Sequence, residues 1–156
     1  MSHRRRLLVA ALLALSTFAV VGCRYVPYDP EKATRPYPRH LHQAATPADI
    51  EVFREGNTVR LVNATITSFG PCDLWINQRY TQHLDGLAAG ETVLVQLSDF
   101  WDHWGNGPNR DGLLRRYKPT PIRLAELQLS DTTMLVGLVA IRPEVVDLED
   151  AQQRRR

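Results

Sequence analysis

The residues best suited to chemistry lie in one stretch, Ser98 to Gly112, which packs three aspartates, a histidine and two tryptophans into fifteen positions. Asp99, Asp102 and His103 fall at i, i+3 and i+4. A single helical turn would put two carboxylates and an imidazole on one side, a geometry compatible with metal coordination or a paired acid and base. The plainer reading has Asp99 capping a short turn while Phe100 and one tryptophan plug the end of a domain. Trp101 and Trp104, together with Trp75, offer an alternative use as an aromatic platform for sugar rings or a partner chain. Asn106, Asn109 and Asp111-Gly112 supply further oxygens. They lack the Asp-x-Asp-x-Asp-Gly order and closing glutamate of a calcium loop, and turn chemistry accounts for them.

Elsewhere the chain holds little reactive patterning. His40 and His42 sit among prolines and are expected to be solvated rather than metal-bound. His83 has Asp85 two residues on but no nucleophile motif beside it. Gly-x-Ser-x-Gly, His-Glu-x-x-His, phosphate-loop and dinucleotide patterns are missing, so neither an enzyme nor a cofactor is assigned, and no metal site. Asn63-Ala64-Thr65 matches a glycosylation sequon but falls inside a predicted strand. The formal charge is +2. Outside the N-terminal arginines, basic residues are scattered except at Arg115-Arg116 and Arg154 to Arg156, which is not a nucleic-acid footprint.

The elements that must position these residues read as strands. Ile50 to Phe53 is a short candidate, and Glu55-Gly56-Asn57 turns the chain into Thr58 to Thr67, where the apolar parity switches between Leu61 and Val62. Asp73 to Ile76 alternates, with Leu74 and Ile76 on one side and Trp75 on the other, and Asn77-Gln78 is a plausible hairpin tip. Thr92 to Leu97 is the clearest strand. After the loop from Ser98 to Pro119, Ile122 and Leu124 share one face and Leu127 and Leu129 the other, which predicts an irregularity near Ala125-Glu126. Thr132 to Ile141 is apolar on both parities, as a central strand would be. Short strands separated by turn residues predict an all-β, antiparallel sandwich over residues 49–143 with little helix.

The ends of the chain differ in kind. Arg4 to Arg6 precede an apolar run from Leu7 to Val21, the layout of an export signal and too short for a comfortable span. The run ends in Val20-Val21-Gly22-Cys23, which resembles a bacterial lipobox. That resemblance implies a signal peptide over 1–22 and lipidation of Cys23, which becomes the mature N-terminus. Arg24 follows where an inner-membrane retention signal has Asp, so the periplasmic face of the outer membrane is favoured. Residues 23–48 carry prolines at 27, 30, 36, 38 and 47 and read as a stiff tether of up to roughly 80 Å. Residues 144–156 read as a polar, solvated tail. With the signal removed, Cys72 has no internal disulfide partner other than the lipidated cysteine and is expected to be a buried small hydrophobe.

Asn63, Leu74-Trp75-Ile76-Asn77, Leu87 and Gly90-Glu91-Thr92-Val93 are similar to the pattern of immunoglobulin-like modules of bacterial surface proteins, including the adhesion-related CARDB type. The likeness covers about a quarter of the chain and breaks after Leu97, where Asp99 to Arg116 replaces a direct return into the next strand. The whole also looks like uncharacterised envelope lipoproteins. Together these imply a membrane-anchored, non-catalytic structural or protein-binding domain whose partner is another envelope protein. The alternatives are a polysaccharide-binding module using Trp101 and Trp104, and a metal-dependent enzyme using Asp99, Asp102 and His103.

Overall fold

A computed structural model describes residues 27–112 and 117–142. The expected signal segment, Cys23, Arg115-Arg116 and the tail at 144–156 lie outside the described residues. Among those described, no helix is long and apolar enough to cross a membrane.

Among the described residues the first element is a 3₁₀ turn at Pro30–Lys32, capped by the Asp29 carboxylate on the Glu31 amide. Eight strands follow: β1 Ile50–Glu55, β2 Thr58–Asn63, β3 Cys72–Ile76, β4 Tyr80–Leu84, β5 Thr92–Gln96, β6 Ala125–Gln128, β7 Val136–Gly137 and β8 Val139–Ile141. They form two four-stranded sheets, ordered β5-β2-β1-β8 and β4-β3-β6-β7. The protein is an all-β sandwich. Hairpins β1–β2 and β3–β4 lie in opposite sheets. Among the described residues, the pairings between these strands are antiparallel except β1 with β8, which is parallel.

Alternation builds the core. Ile50 and Val52, Val59 and Leu61, Cys72, Leu74 and Ile76, Val95, and Ala125 and Leu127 meet between the sheets, with Leu97 and Phe100 closing one end. Phe100 is fully buried there, as the plainer reading of its loop expected. Cys72 is also buried, and burial followed by the neighbouring Asp73 charge pushes its thiol up to about 11.

The turn between β3 and β4 is made as the sequence requires. Asn77 and Gln78 both take positive φ, 53° and 55°, and the Arg79 amide closes on the Ile76 carbonyl. The Asn77 side chain then accepts from the amides of Arg123 and Leu124 and donates to the Pro121 carbonyl at 2.7 Å, tying the hairpin tip to the approach of β6.

Two expectations are corrected and a third is placed more closely. The strand read over Thr58 to Thr67 stops at Asn63. That side chain is buried, donating to the Thr67 and Ala88 carbonyls and accepting from the Thr65 amide and hydroxyl, so it organises a loop and leaves the sequon asparagine inaccessible. The irregularity expected near Ala125-Glu126 falls just ahead of it: Ile122 and then Ala125 and Leu127 all face the core, so the inward parity switches before β6, which itself runs unbroken from Ala125 to Gln128 with every residue buried. Thr132 to Ile141 is not a central strand. The chain edges one sheet as β7, changes sheet at buried Leu138, and edges the other as β8. A strand that changes sheets reverses which parity faces inward, hence the apolar residues on both.

The largest difference concerns the proline-rich segment. Expected as a free spacer, it is bound down from Pro27 to Ala48 as a strap across the outer face of the β4-β3-β6-β7 sheet. Its far end adds parallel pairing beside β7: Leu135 donates to the His42 carbonyl, Ala44 to the Leu135 carbonyl and Ala48 to the Gly137 carbonyl. The reason lies under it. Trp75, Glu126 and Gln128 sit on that outer face and would otherwise be solvated; with the strap in place all three are buried.

Candidate functional site

The strap and the loop after β5 build one end of the molecule together. A 3₁₀ turn at Leu97–Asp99 leads into Phe100, after which Trp101 pairs with Thr81 of β4 through amide–carbonyl bonds in both directions. The chain then folds around Asp102. This carboxylate is fully buried and accepts from the Trp104 amide at 2.9 Å, the Asn106 amide at 2.8 Å and the Asn106 side chain at 3.3 Å. Arg79, on the hairpin tip, adds a two-point ion pair at 2.9 and 2.8 Å. Burial alone would raise this carboxyl. The Asn106 amide, Arg79, the Trp104 amide and the Asn106 side chain outweigh it and hold the carboxyl below the usual aspartate range.

The strap locks onto the same loop. Asp29 donates its amide to the Gly105 carbonyl, Gly107 donates to the Pro27 carbonyl, and Thr34 donates its amide to the Asp102 carbonyl and its hydroxyl to the Trp101 carbonyl. Gly105 takes φ 79°, and a Cβ there would overlap the Asp29 backbone. Glycine is needed at 105 for both reasons.

The candidate residues are therefore separated rather than gathered. Asp102 points into its own loop. His103 lies tilted against Trp104, ring centroids 3.4 Å apart, and both border an open groove of about 940 Å³ between the strap and the hairpin tip. Asp99 and Trp101 border a smaller pocket of about 310 Å³ on the β4 side. A metal site or acid–base pair built on Asp99, Asp102 and His103 does not form, because Asp102 spends both oxygens on loop and hairpin donors. Among the described residues, no group of three or more His, Cys, Asp or Glu is placed to hold a metal. The three tryptophans do not make one platform either. Trp75 is buried under the strap, Trp101 is half-buried with the Lys32 ammonium 4.9 Å from its ring centroid, and Trp104 is 59% exposed.

The groove beside Trp104 is walled by Tyr37, Arg39 and His40 from the strap and by Asn77, Gln78 and Arg79 from the hairpin. Its polar character is cationic and amide-rich, with an indole on the rim. Beneath it, Tyr37 meets Trp75 edge-on at 5.4 Å and donates its hydroxyl to Glu126 at 2.9 Å, while Gln43 donates to the other Glu126 oxygen. Burial, then the hydrogen bond to Glu126 and its charge, push the Tyr37 phenol up to about 12. Arg35 completes the strap's grip. It reaches Asp73, Asp131 and the side-chain amide oxygen of Gln128, which accepts as well from the Trp75 indole at 2.9 Å.

Sequence spacing did not reveal this network, nor the cross-strand pair of His83 Nδ1 with Asp73 at 2.8 Å. The pair was within reach of the sequence. A hairpin turning at Asn77-Gln78 puts residues 73 and 83 opposite one another, as they are in the register. The strap carried a weaker signal: a tryptophan outward on a strand, opposite a glutamate, requires cover. No family model, curated protein or solved structure matches the chain.

Proposed function

We propose that the chain is a bacterial envelope lipoprotein, lipidated at Cys23 and held at the outer membrane, whose sandwich is a non-catalytic module that binds another envelope protein. The observation that carries the non-catalytic part is Asp102. The carboxylate at the centre of the chain's most reactive-looking stretch is sealed from solvent and taken up by backbone amides, an asparagine and an arginine, which makes it a loop organiser. The protein partner is favoured by β5, which among the described residues pairs with β2 alone and holds Leu94 62% exposed, an arrangement suited to strand addition by another chain. The lipobox pattern supports the anchor, and the immunoglobulin-like pattern supports a binding role.

A second reading, polysaccharide binding, is favoured by the groove in which exposed Trp104 stands beside Tyr37 and the amides of Asn77 and Gln78. Proximity crosslinking in the native cells tests the proposal. The parent is expected to capture a defined set of envelope proteins, with capture reduced in Leu94→Lys and redistributed in Cys23→Ala. Identical neighbours from all three would refute it.

A further inference from the structure

We infer that the end of the sandwich formed by the Trp101 to Gly107 loop and the start of the strap rests on the bilayer itself, with Trp104 and Tyr28 at the headgroup level and Arg39 facing lipid phosphate. This deepens the anchoring proposed above and rests on lipidation of Cys23. The argument starts from covalent reach. Pro27 accepts from Gly107, Tyr28 bridges Asn106 and Asp29 donates to Gly105, so the first described residues are fixed to that loop. Cys23 lies four residues before Pro27, and four Cα steps of 3.8 Å span at most about 15 Å. A lipid on Cys23 therefore holds this end of the domain within the thickness of a headgroup layer from the acyl chains, where a free tether would have allowed the domain to stand far off.

The residues at that end suit the location. Trp104 and Tyr28 are among the more exposed large apolar side chains of the described residues, at 59% and 64%. Rings with one apolar body and one polar tip are the type that settle at membrane interfaces. Arg39, His40 and His103 line the same groove as Trp104, and Lys32 follows Tyr28 on the strap. Among the described residues of the strap's start, the opposing carboxylates are Asp29, which caps the 3₁₀ turn, and Glu31 within it; Asp102 and Arg79 pair with each other. Among the described residues Arg39 makes its bonds through its backbone amide, to the Tyr37 carbonyl, and its guanidinium forms no ion pair. Juxtamembrane arginines of this kind are attracted to anionic headgroups.

The test uses the full mature protein reconstituted into phosphatidylethanolamine–phosphatidylglycerol vesicles in which part of the lipid is brominated near the glycerol end of its acyl chains. Tryptophan emission is expected to be partly quenched in the parent and in Trp101→Phe, with the quenching lost in Trp104→Phe. The mature chain from residue 23 carrying Cys23→Ser, made without lipid, is expected to bind phosphatidylglycerol vesicles weakly and salt-dependently, with Arg39→Glu added to it binding roughly tenfold less. Equal quenching in the parent and Trp104→Phe would overturn the inference. So would an unquenched Trp104 whose emission responds instead to soluble envelope polysaccharide, which would make this end a saccharide site. Mass analysis of the N-terminal peptide separates the two levels: acylated Cys23 with unquenched Trp104 rejects the docking alone, whereas unmodified Cys23 rejects the anchor and the docking with it.

Discussion

Tyr37→Ala is the perturbation that bears most directly on the strap. Tyr37 contributes the hydroxyl that donates to buried Glu126 at 2.9 Å and the ring that meets Trp75 edge-on at 5.4 Å. Leaving a buried carboxylate oxygen without its donor costs about 1–3 kcal/mol. Losing an edge-to-face pair costs a further 0.5–1.5 kcal/mol or so. The expected destabilisation is therefore about 3 kcal/mol, and for a domain of this size that lowers the melting temperature by roughly 10 °C. Tyr37→Phe keeps the ring and removes only the donor, so it should fall between the two. Thermal unfolding followed by circular dichroism gives the first number, and intrinsic fluorescence gives an independent one, because Trp75 becomes solvated and its emission shifts to the red. The alkaline limb supplies a third. The folded protein holds the Tyr37 proton up to about 12, whereas an unburied tyrosine releases it near 10, so stability falls as pH rises across that window. Tyr37→Phe should flatten that fall. Parent-like melting and emission in Tyr37→Ala would refute the reasoning and return residues 27–48 to the role of a free spacer.

Three further outcomes follow from the same geometry. Asp102→Asn removes the charge that receives Arg79 and should cost about 1.5–3 kcal/mol by denaturant titration; because the folded carboxyl titrates below the usual 3.8, the parent should keep this contribution at neutral pH and lose it as pH falls through and below that value, and the variant should lack the acid-dependent loss. Gly105→Ala combines a left-handed φ, worth about 1–2 kcal/mol, with overlap on the Asp29 backbone. Gly90→Ala, with φ 73° and open space around it, should pay only the first cost, and limited proteolysis should release residues 27–34 in the former variant but not the latter. Cys72, buried and with its thiol raised to about 11, should react with a thiol reagent at neutral pH only at the rate of global unfolding.

The sandwich was legible because its strands obey local rules. Leu74 and Ile76 alternate with Trp75, Val93 and Val95 with Leu94, and glycine or asparagine stands where φ turns positive at Gly56 and Asn77. Each of these patterns is set within a few residues, so it survives without knowledge of the partners. Thr132 to Ile141 misled for a related reason. Apolar residues on both parities describe a strand buried on two faces and equally a strand that changes sheets, and only the location of Leu138 between the sheets distinguishes them.

The candidate site shows where local pattern stops. Asp99, Asp102 and His103 have a spacing that a helical turn would bring together, but Phe100 is drawn into the core and Trp101 pairs with Thr81, so the backbone is extended there and the three side chains part. By itself the sequence determined a β fold, its principal turns, and the residue types available at each end. Tertiary structure decided that the proline-rich segment is a strap, that Asp102 holds a loop, and that Trp104 is the indole left to solvent. Those outcomes depend on Trp75 and Glu126 needing cover from a segment some forty to ninety residues away, a demand of burial energy that no short-range periodicity records.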